Sequence, residues 1–251
     1  MTEGTPYSGS VQTNLRELYT QYKSGVVPVV TIDSHGDEHI GSAFHIGEGV
    51  FVTAAHIGAD TGNCTVYDES IVLLPHPQPA QDVAVFTAPR LANLPALPLG
   101  EHLDDWIDDD AFMLNHVLVL GYPPIPLAKK AVLVAAVGQV NAVVDLINVR
   151  HVHFIVSVMA RGGFSGGVVL SEWNFVLGVI TSSLVRNSAP EENGYLTVLT
   201  VEPILECLAA NGLLTAELSE IWGDLFDGTD SSLPPQSVSN VSFDNQDDLT
   251  I

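Results

Sequence analysis

From residue 26 to residue 200 the chain is a succession of short apolar runs rich in Val and Ile, separated by Gly, Pro and Asp. Each run has the length of one β-strand and is too short for an ordinary helix. The runs form two sets, at 26–32, 41–46, 50–53, 64–67, 71–74 and 83–86, and at 117–120, 131–140, 154–158, 168–170, 176–180 and 195–200. Strands this short and closely spaced predict an all-β barrel or sandwich rather than alternating β-α-β units.

Helical spacing appears at the two ends of this β-rich region. Residues 10–24 place apolar side chains at helical spacing and are followed by Gly25, and residues 201–211 predict a second, short helix that ends at Gly212. The remaining C-terminal residues are acidic and mostly polar, which predicts a largely disordered tail. The predicted segments are 1–25 (helical), 26–95 (first β-set), 96–115 (acidic linker), 116–200 (second β-set), 201–215 (helix) and 216–251 (acidic tail).

The charge balance narrows the classes of partner. The chain has 8 Lys and Arg against 30 Asp and Glu, a formal net charge of −22. Binding a polyanion needs clustered basic residues, so neither nucleic acid nor an anionic membrane surface is an expected partner. The start, MTEGTPYSGSVQ, lacks the basic and apolar regions of a signal peptide, and no apolar run is long enough to span a membrane. We therefore expect a cytoplasmic protein.

The cysteines and histidines carry weaker signals. Cys64 and Cys207 lie far apart without a CxxC spacing, which argues against a disulfide framework and a cysteine zinc site. His151 and His153 point to the same side of a strand and could bind a metal ion, but no third ligand is evident. Solvent-facing side chains are the favoured interpretation for both histidines. The sequence predicts no metal and no cofactor.

The strongest local signal is the sequence GGFSGG at 162–167, with Ser165 between glycines. Glycine allows a tight turn with positive φ angles and lets a substrate backbone come close. The backbone N–H groups of Gly163 and Ser165 could converge on one point, as an oxyanion site requires. Taken alone, the hexapeptide is equally compatible with a plain glycine-rich turn.

Two further motifs supply a base and an acid. His56 ends the sequence TAAH directly after the apolar run 50–52, and imidazole is the usual base for a serine nucleophile near neutral pH. Asp82 begins the sequence DVAVF, where its carboxylate can accept a hydrogen bond from an imidazole N–H. Alone, the histidine is more typical of a surface or core residue, and the aspartate of a turn.

The order His56, Asp82, Ser165 and the motifs around them resemble the trypsin-like (chymotrypsin-fold) serine proteases over roughly residues 26–200. The resemblance implies two six-stranded antiparallel β-barrels with the active site between them. It also implies that His56 is the general base, Asp82 the orienting acid and Ser165 the nucleophile. An oxyanion hole would come from Gly163 and Ser165. The chain is thus predicted to be a serine endopeptidase acting on peptides or protein segments.

The chain departs from part of that family. Phe164 stands where trypsin-type enzymes carry an aspartate that pairs with a new N-terminus, so that activation route is not expected. The pattern is closest to the bacterial Deg/HtrA-like branch, although the residues after 200 are too few for a PDZ domain. The alternative is a protease-fold binding or regulatory module with little turnover, acting within a larger assembly. The acidic tail could then bind a protein partner.

The resemblance also implies a specificity pocket. Its walls would come from two segments that flank the nucleophile turn, namely Met159, Ala160, Arg161, Thr181, Ser182 and Ser183. Met159 offers no carboxylate for a basic substrate side chain, and Ser183 would narrow the pocket. We therefore expect a preference for small or medium apolar residues, with an acidic preference as the alternative if Arg161 leans over the entrance.

Overall fold

The computed structural model of the chain describes residues 13–33, 35–58, 63–104, 107, 110, 112–146, 150–158, 164–181, 185–186, 189–190 and 195–226. Its α-helices are α1 (Leu15–Tyr22), α2 (Glu202–Ala210) and α3 (Ala216–Phe226). Its strands are β1 (Val26–Ile32), β2 (Glu38–Gly47), β3 (Val50–Thr53), β4 (Cys64–Val66), β5 (Glu69–Ile71), β6 (Leu74–Pro75), β7 (Ala84–Thr87), β8 (His116–Gly121), β9 (Val134–Asp145), β10 (Val152–Val156), β11 (Val168–Ser171), β12 (Phe175–Ile180), β13 (Val185–Arg186), β14 (Ala189–Pro190) and β15 (Leu196–Leu199).

The first lobe is a curled antiparallel sheet with the strand order β5-β4-β1-β2-β3-β7-β6. In the residues described, its outer strands β5 and β6 do not pair with each other, so the sheet stays open. The expectation of two closed six-stranded barrels is therefore wrong for this lobe. The outer strands have only 3 and 2 residues. Such short strands offer few backbone N–H and C=O groups with which to join the two edges.

The second lobe is a closed barrel with the order β10-β15-β12-β11-β8-β9. Here the predicted six-stranded antiparallel barrel is confirmed. Closure depends on β9, a strand of 12 residues that pairs with β8 through its first half and with β10 through its second half. Strand β9 is long enough to pair with two strands along its length, whereas the edge strands of the first lobe are too short to do so.

A shared apolar core joins the two lobes and the helices. Phe44 of β2, Leu120 of β8 and Ile204 of α2 belong to one cluster of buried side chains and are each 0% exposed. Burial of apolar side chains from both lobes in one core stabilises their packing against each other. The two lobes are therefore packed against each other through a common buried core.

All three α-helices contribute buried side chains to the shared core. Asn14 caps α1 by accepting a hydrogen bond from the backbone N–H of Arg16 at 2.8 Å. Helix α3 begins at residue 216, where the sequence predicts an acidic tail, and its Trp222 is only 6% exposed. Residues 227–251, which make up the rest of the predicted tail, lie outside the described part of the chain. Among the described helices, none is both long and apolar enough to cross a bilayer.

Candidate active site

His56 and Asp82 form a hydrogen-bonded pair beside two neighbouring strands. His56 lies in a short 3-10 turn after β3, and Asp82 lies two residues before β7, which pairs with β3. Nδ1 of His56 donates to Oδ2 of Asp82 at 2.7 Å, and the His56 backbone N–H donates to Oδ1 at 2.9 Å. Both carboxylate oxygens of Asp82 therefore accept hydrogen bonds from His56. The ring is oriented with Nε2 on its opposite side, available to a second partner.

The environment of the pair suits proton transfer. The hydrogen bond with Asp82 raises the pKa of His56 above its usual value, against the lowering effect of partial burial. The His56 side chain is 45% exposed and that of Asp82 is 27% exposed, so a ligand can reach the imidazole. An exposed imidazole held by a half-buried carboxylate is the arrangement of an oriented general base.

Ser165 lies in a tight turn at the start of β11. The backbone N–H of Gly167 donates to the carbonyl oxygen of Phe164 at 2.7 Å, which closes a four-residue turn. Gly166 has a φ of +74°, the left-handed conformation that favours glycine. The predicted tight glycine turn is thus present. The side chain of Phe164 is buried, whereas Ser165, the polar residue of this turn, is partly exposed.

The Ser165 turn is bonded to both lobes. The backbone N–H of Ser42 in β2 donates to the Ser165 carbonyl oxygen at 2.9 Å, and the Gly166 N–H donates to Ile180 of β12 at 2.7 Å. A Cβ at Gly166 would overlap the Ser42 carbonyl oxygen and the Thr53 hydroxyl. Thr53 ends the strand that leads into the His56 turn. The structure therefore packs the Ser165 turn directly against the segment that carries His56.

Of the predicted pocket and oxyanion residues, only Thr181 and Ser165 are among the described residues. Thr181 is buried and follows Ile180, whose carbonyl oxygen binds the Ser165 turn. The others lie outside the described residues, namely Gly163, Met159, Ala160, Arg161, Ser182 and Ser183. Their roles stay predictions.

A second group of titratable residues surrounds two buried histidines, and we call it the His151 network: His76, Asp104, Arg150, His151 and Glu206. His151 is 1% exposed and donates from Nδ1 to Asp104 at 2.8 Å and from Nε2 to Glu206 at 3.1 Å. Burial opposes its protonation, but the two carboxylates outweigh burial and raise the pKa of His151 to about 9. His151 is therefore an imidazolium held between two carboxylates.

Sequence reasoning missed this network. It favoured solvent-facing positions for His151 and His153, but these side chains are 1% and 5% exposed. The signals available were the acidic segment 101–110 and a histidine directly before a strand, but neither indicates which residues pair. Asp104, His151 and Glu202 each offer one potential ligand atom, all within 4.8 Å of one another. Both ring nitrogens of His151 already donate to carboxylates, so the arrangement fits an ion-pair network better than a metal site.

The fold, with its closed barrel and curled sheet, is similar to that of solved protease structures. Protein-family models and curated proteins give no match to the sequence. Solved structures do match, and HtrA-type proteases are among them.

Three of these structures illustrate the likeness. The HtrA-type protease AlgW with a bound tripeptide is 19% identical, covering 84% of this chain and 72% of AlgW, with a TM-score of 0.61. The active form of the Rv3671c protease from M. tuberculosis is 20% identical, covering 83% and 92%, with a TM-score of 0.59. The serine endoprotease from Yersinia pestis is 18% identical, covering 84% and 68%, with a TM-score of 0.57. The chain therefore has the fold of HtrA-type serine proteases, as its motifs predict.

Proposed function

We propose that the chain is a serine endopeptidase in which Ser165 is the nucleophile, His56 the general base and Asp82 the residue that orients the base. The 2.7 Å hydrogen bond between His56 and Asp82 carries this proposal. It is supported by the Ser165 turn, which packs against the strand leading to His56, and by the likeness to HtrA-type protease structures. A fold alone does not define an activity, so the proposed activity depends on the chemistry of these three side chains.

The proposed reaction follows from the protonation state of His56. Because Nδ1 keeps its proton in the hydrogen bond with Asp82, Nε2 carries the lone pair and takes the proton of the Ser165 hydroxyl. The hydroxyl oxygen then bonds to the peptide carbonyl carbon, and the C–N bond breaks as His56 returns the proton to the leaving amine. Water, deprotonated by the same Nε2, then adds to the acyl carbon. The bond between that carbon and the Ser165 oxygen breaks as His56 returns the proton to this oxygen, which releases the carboxylic acid product. The proposed steps use no cofactor or metal.

The oxyanion formed on the carbonyl oxygen needs hydrogen-bond donors. We assign this role to the backbone N–H groups of Gly163 and Ser165, which precede and include the nucleophile. The positive φ of Gly166 supports this assignment, because the tight turn that it allows fixes the orientation of the Ser165 backbone. The N–H groups of a rigid turn cost little reorganisation when the charge develops.

Peptides are the proposed substrates, in keeping with the tripeptide bound in the AlgW structure. We propose a pocket that favours small or medium apolar residues, with walls from Met159, Ala160, Arg161, Thr181, Ser182 and Ser183. Without a carboxylate at Met159, a buried basic side chain would lack its counter-ion. Profiling a peptide library checks this. Dominant cleavage after Lys or Arg would contradict the pocket assignment, and dominant cleavage after Asp or Glu would favour Arg161 as its determinant.

The central test is labelling with a fluorophosphonate probe, which forms a bond to a serine oxygen only in an assembled site. We expect the native protein to be labelled, and Ser165→Ala and His56→Ala to show no labelling above background while keeping the native circular dichroism. Asp82→Asn should lower the labelling rate on the order of 10⁴-fold through the wrong imidazole tautomer. Ser157→Ala, which changes an exposed serine elsewhere in the second lobe, is the matched control and should be labelled normally.

The alternative function is a protease-fold module that binds a partner, through the acidic tail or another surface, with little turnover. A native protein that binds peptides but is never labelled at Ser165 would favour this alternative. Labelling that survives in Ser165→Ala would instead refute the assignment of the nucleophile.

A further inference from the structure

The loop that carries Asp82 near its end is attached to the body of the protein near its start. This loop, residues 76–83, connects β6 to β7. The backbone N–H of His76 donates to the carbonyl oxygen of Val83 at 2.9 Å, which brings the two ends of the loop together. The position of Asp82 therefore depends on where His76 is held.

His76 is held by the carboxylate of Glu206. The His76 side chain is only 4% exposed, and its Nδ1 accepts a hydrogen bond from the backbone N–H of Gln78 at 3.0 Å. Nε2 donates a hydrogen bond to Oε2 of Glu206 at 3.1 Å, because a carboxylate oxygen can only accept. Nδ1 thus stabilises the conformation of the loop, and Nε2 binds the loop to Glu206 of α2.

Glu206 connects that anchor to the second barrel. Its Oε2 also accepts from His151 Nε2 at 3.1 Å, and Arg150 lies 3.2 Å from Oε1. Asp104 holds the other side of His151 at 2.8 Å and also accepts from the hydroxyl of Thr200 at 2.7 Å. The carboxylate that anchors His76 is therefore itself fixed by charged partners from the other lobe.

We propose that Glu206 and His76 are positioning residues for the active site, which hold the 76–83 loop so that Asp82 meets His56. The chain of contacts runs from the second barrel through Glu206 and His76 to Val83, next to Asp82. This inference rests on the proposed function. Neither residue touches the substrate. Their effect reaches His56 through Asp82, where a displacement of about 1 Å can cost on the order of 100-fold in rate.

The experiment compares Glu206→Gln with Glu172→Gln. Glu172 is another buried carboxylate with a histidine partner, His116 at 3.4 Å, but that partner lies on the second barrel. We expect Glu206→Gln to lower kcat by about 10- to 100-fold with little change in KM. We expect Glu172→Gln to keep kcat within about threefold of the native value. Equal losses in the two folded variants would overturn the inference, since they would reflect general destabilisation.

A second pair of variants covers the case in which Glu206→Gln does not fold. His76→Gln keeps a donor near the position of Nε2, whereas His76→Ala has none. We expect kcat to fall in His76→Ala and to recover most of the loss in His76→Gln. No difference between the two variants would contradict the anchoring role.

A spectroscopic readout separates this inference from the proposed function. The proton between His56 Nδ1 and Asp82 should give a far-downfield NMR signal because the hydrogen bond is short. We expect that signal to shift or broaden in Glu206→Gln and His76→Ala and to be unchanged in Glu172→Gln. This measurement needs no turnover. An unchanged signal in all variants overturns the positioning role, whether or not the protein is a peptidase.

Discussion

His56 owes its orientation to a single carboxylate group that it contacts twice. The side chain of Asp82 accepts from the ring and from the backbone N–H of His56, so rotation of the ring would break one bond and motion of the turn the other. Because the same contact raises the pKa of His56, the imidazole becomes a stronger base while it is held in place. Orientation and basicity at this residue thus have one physical cause.

Gly166 offers a direct test of the turn that carries Ser165. It has a φ of +74°, and a Cβ there would overlap Ser42 and Thr53. We expect Gly166→Ala to lose fluorophosphonate labelling and to be destabilised by more than about 1 kcal/mol. Gly212→Ala is the control, because Gly212 has a similar φ of +65° with no atom within 4 Å of the added Cβ. Urea unfolding measures the loss of stability in both variants. Equal losses would mean that glycine is needed at position 166 because of backbone strain and not because of packing against the His56 segment.

At the scale of elements, helix α3 packs on the core although it belongs to the acidic C-terminal segment. Its first turn is capped by Thr215, whose hydroxyl accepts from the Leu218 N–H at 3.3 Å, and by Glu48 of the first lobe, which accepts from the Ala216 N–H at 3.1 Å. Leu218 and Trp222 lie one helical turn apart and both enter the shared core. The helix therefore attaches the end of the described chain to the first lobe.

Trp222 supplies the prediction at this scale. We expect Trp222→Ala to lower the free energy of unfolding by about 3–5 kcal/mol, since a large buried aromatic side chain is lost. Ile221→Ala is the matched control on the same helix, because Ile221 is 48% exposed, and it should cost less than about 1 kcal/mol. Thermal or urea unfolding distinguishes them. A small effect in both variants would show that α3 contributes little to the stability of the core.

Across the whole molecule, the His151 network joins the acidic linker, both lobes and α2. The linker contributes Asp104, the second lobe Arg150 and His151, the first lobe His76 and α2 Glu206. Removing one partner of such a network leaves an unpaired buried charge, which is far more costly than losing an exposed ion pair. The packing of the two lobes should therefore depend on the charge of His151.

The pH dependence of stability tests that statement. Folding raises the pKa of His151 to about 9 from the usual value of about 6.5, so its contribution is fully present below pH 6.5 and is lost as the pH rises to 9. A shift of this size corresponds to roughly 3 kcal/mol. We expect the free energy of unfolding, measured in urea, to fall by about this amount between pH 6.5 and pH 9.

His151→Gln should be less stable than the native protein at pH 6.5 and should show a flatter pH profile. His35→Gln is the control, because the side chain of His35 is 83% exposed, and it should retain the native profile. An equally steep profile in His151→Gln would assign the titration to other groups.

The sequence by itself determined most of the strands, the likeness to HtrA-type protease structures and the three candidate catalytic residues. Short apolar runs and glycine turns are local signals, because a strand or a tight turn requires particular residues at adjacent positions. The motifs around His56 and Ser165 are local in the same way. These features could therefore be predicted without knowing which segments meet in space.

Only the tertiary structure decided the open edge of the first sheet, the docking of α3 and the His151 network. His76 and Glu206 lie 130 positions apart in the sequence, and Asp104 and His151 lie 47 apart. Such pairs carry no local pattern, and a buried histidine looks the same in a sequence as an exposed one. Their charges and pKa values arise from burial beside specific partners, which the chain acquires only when both lobes fold and pack together.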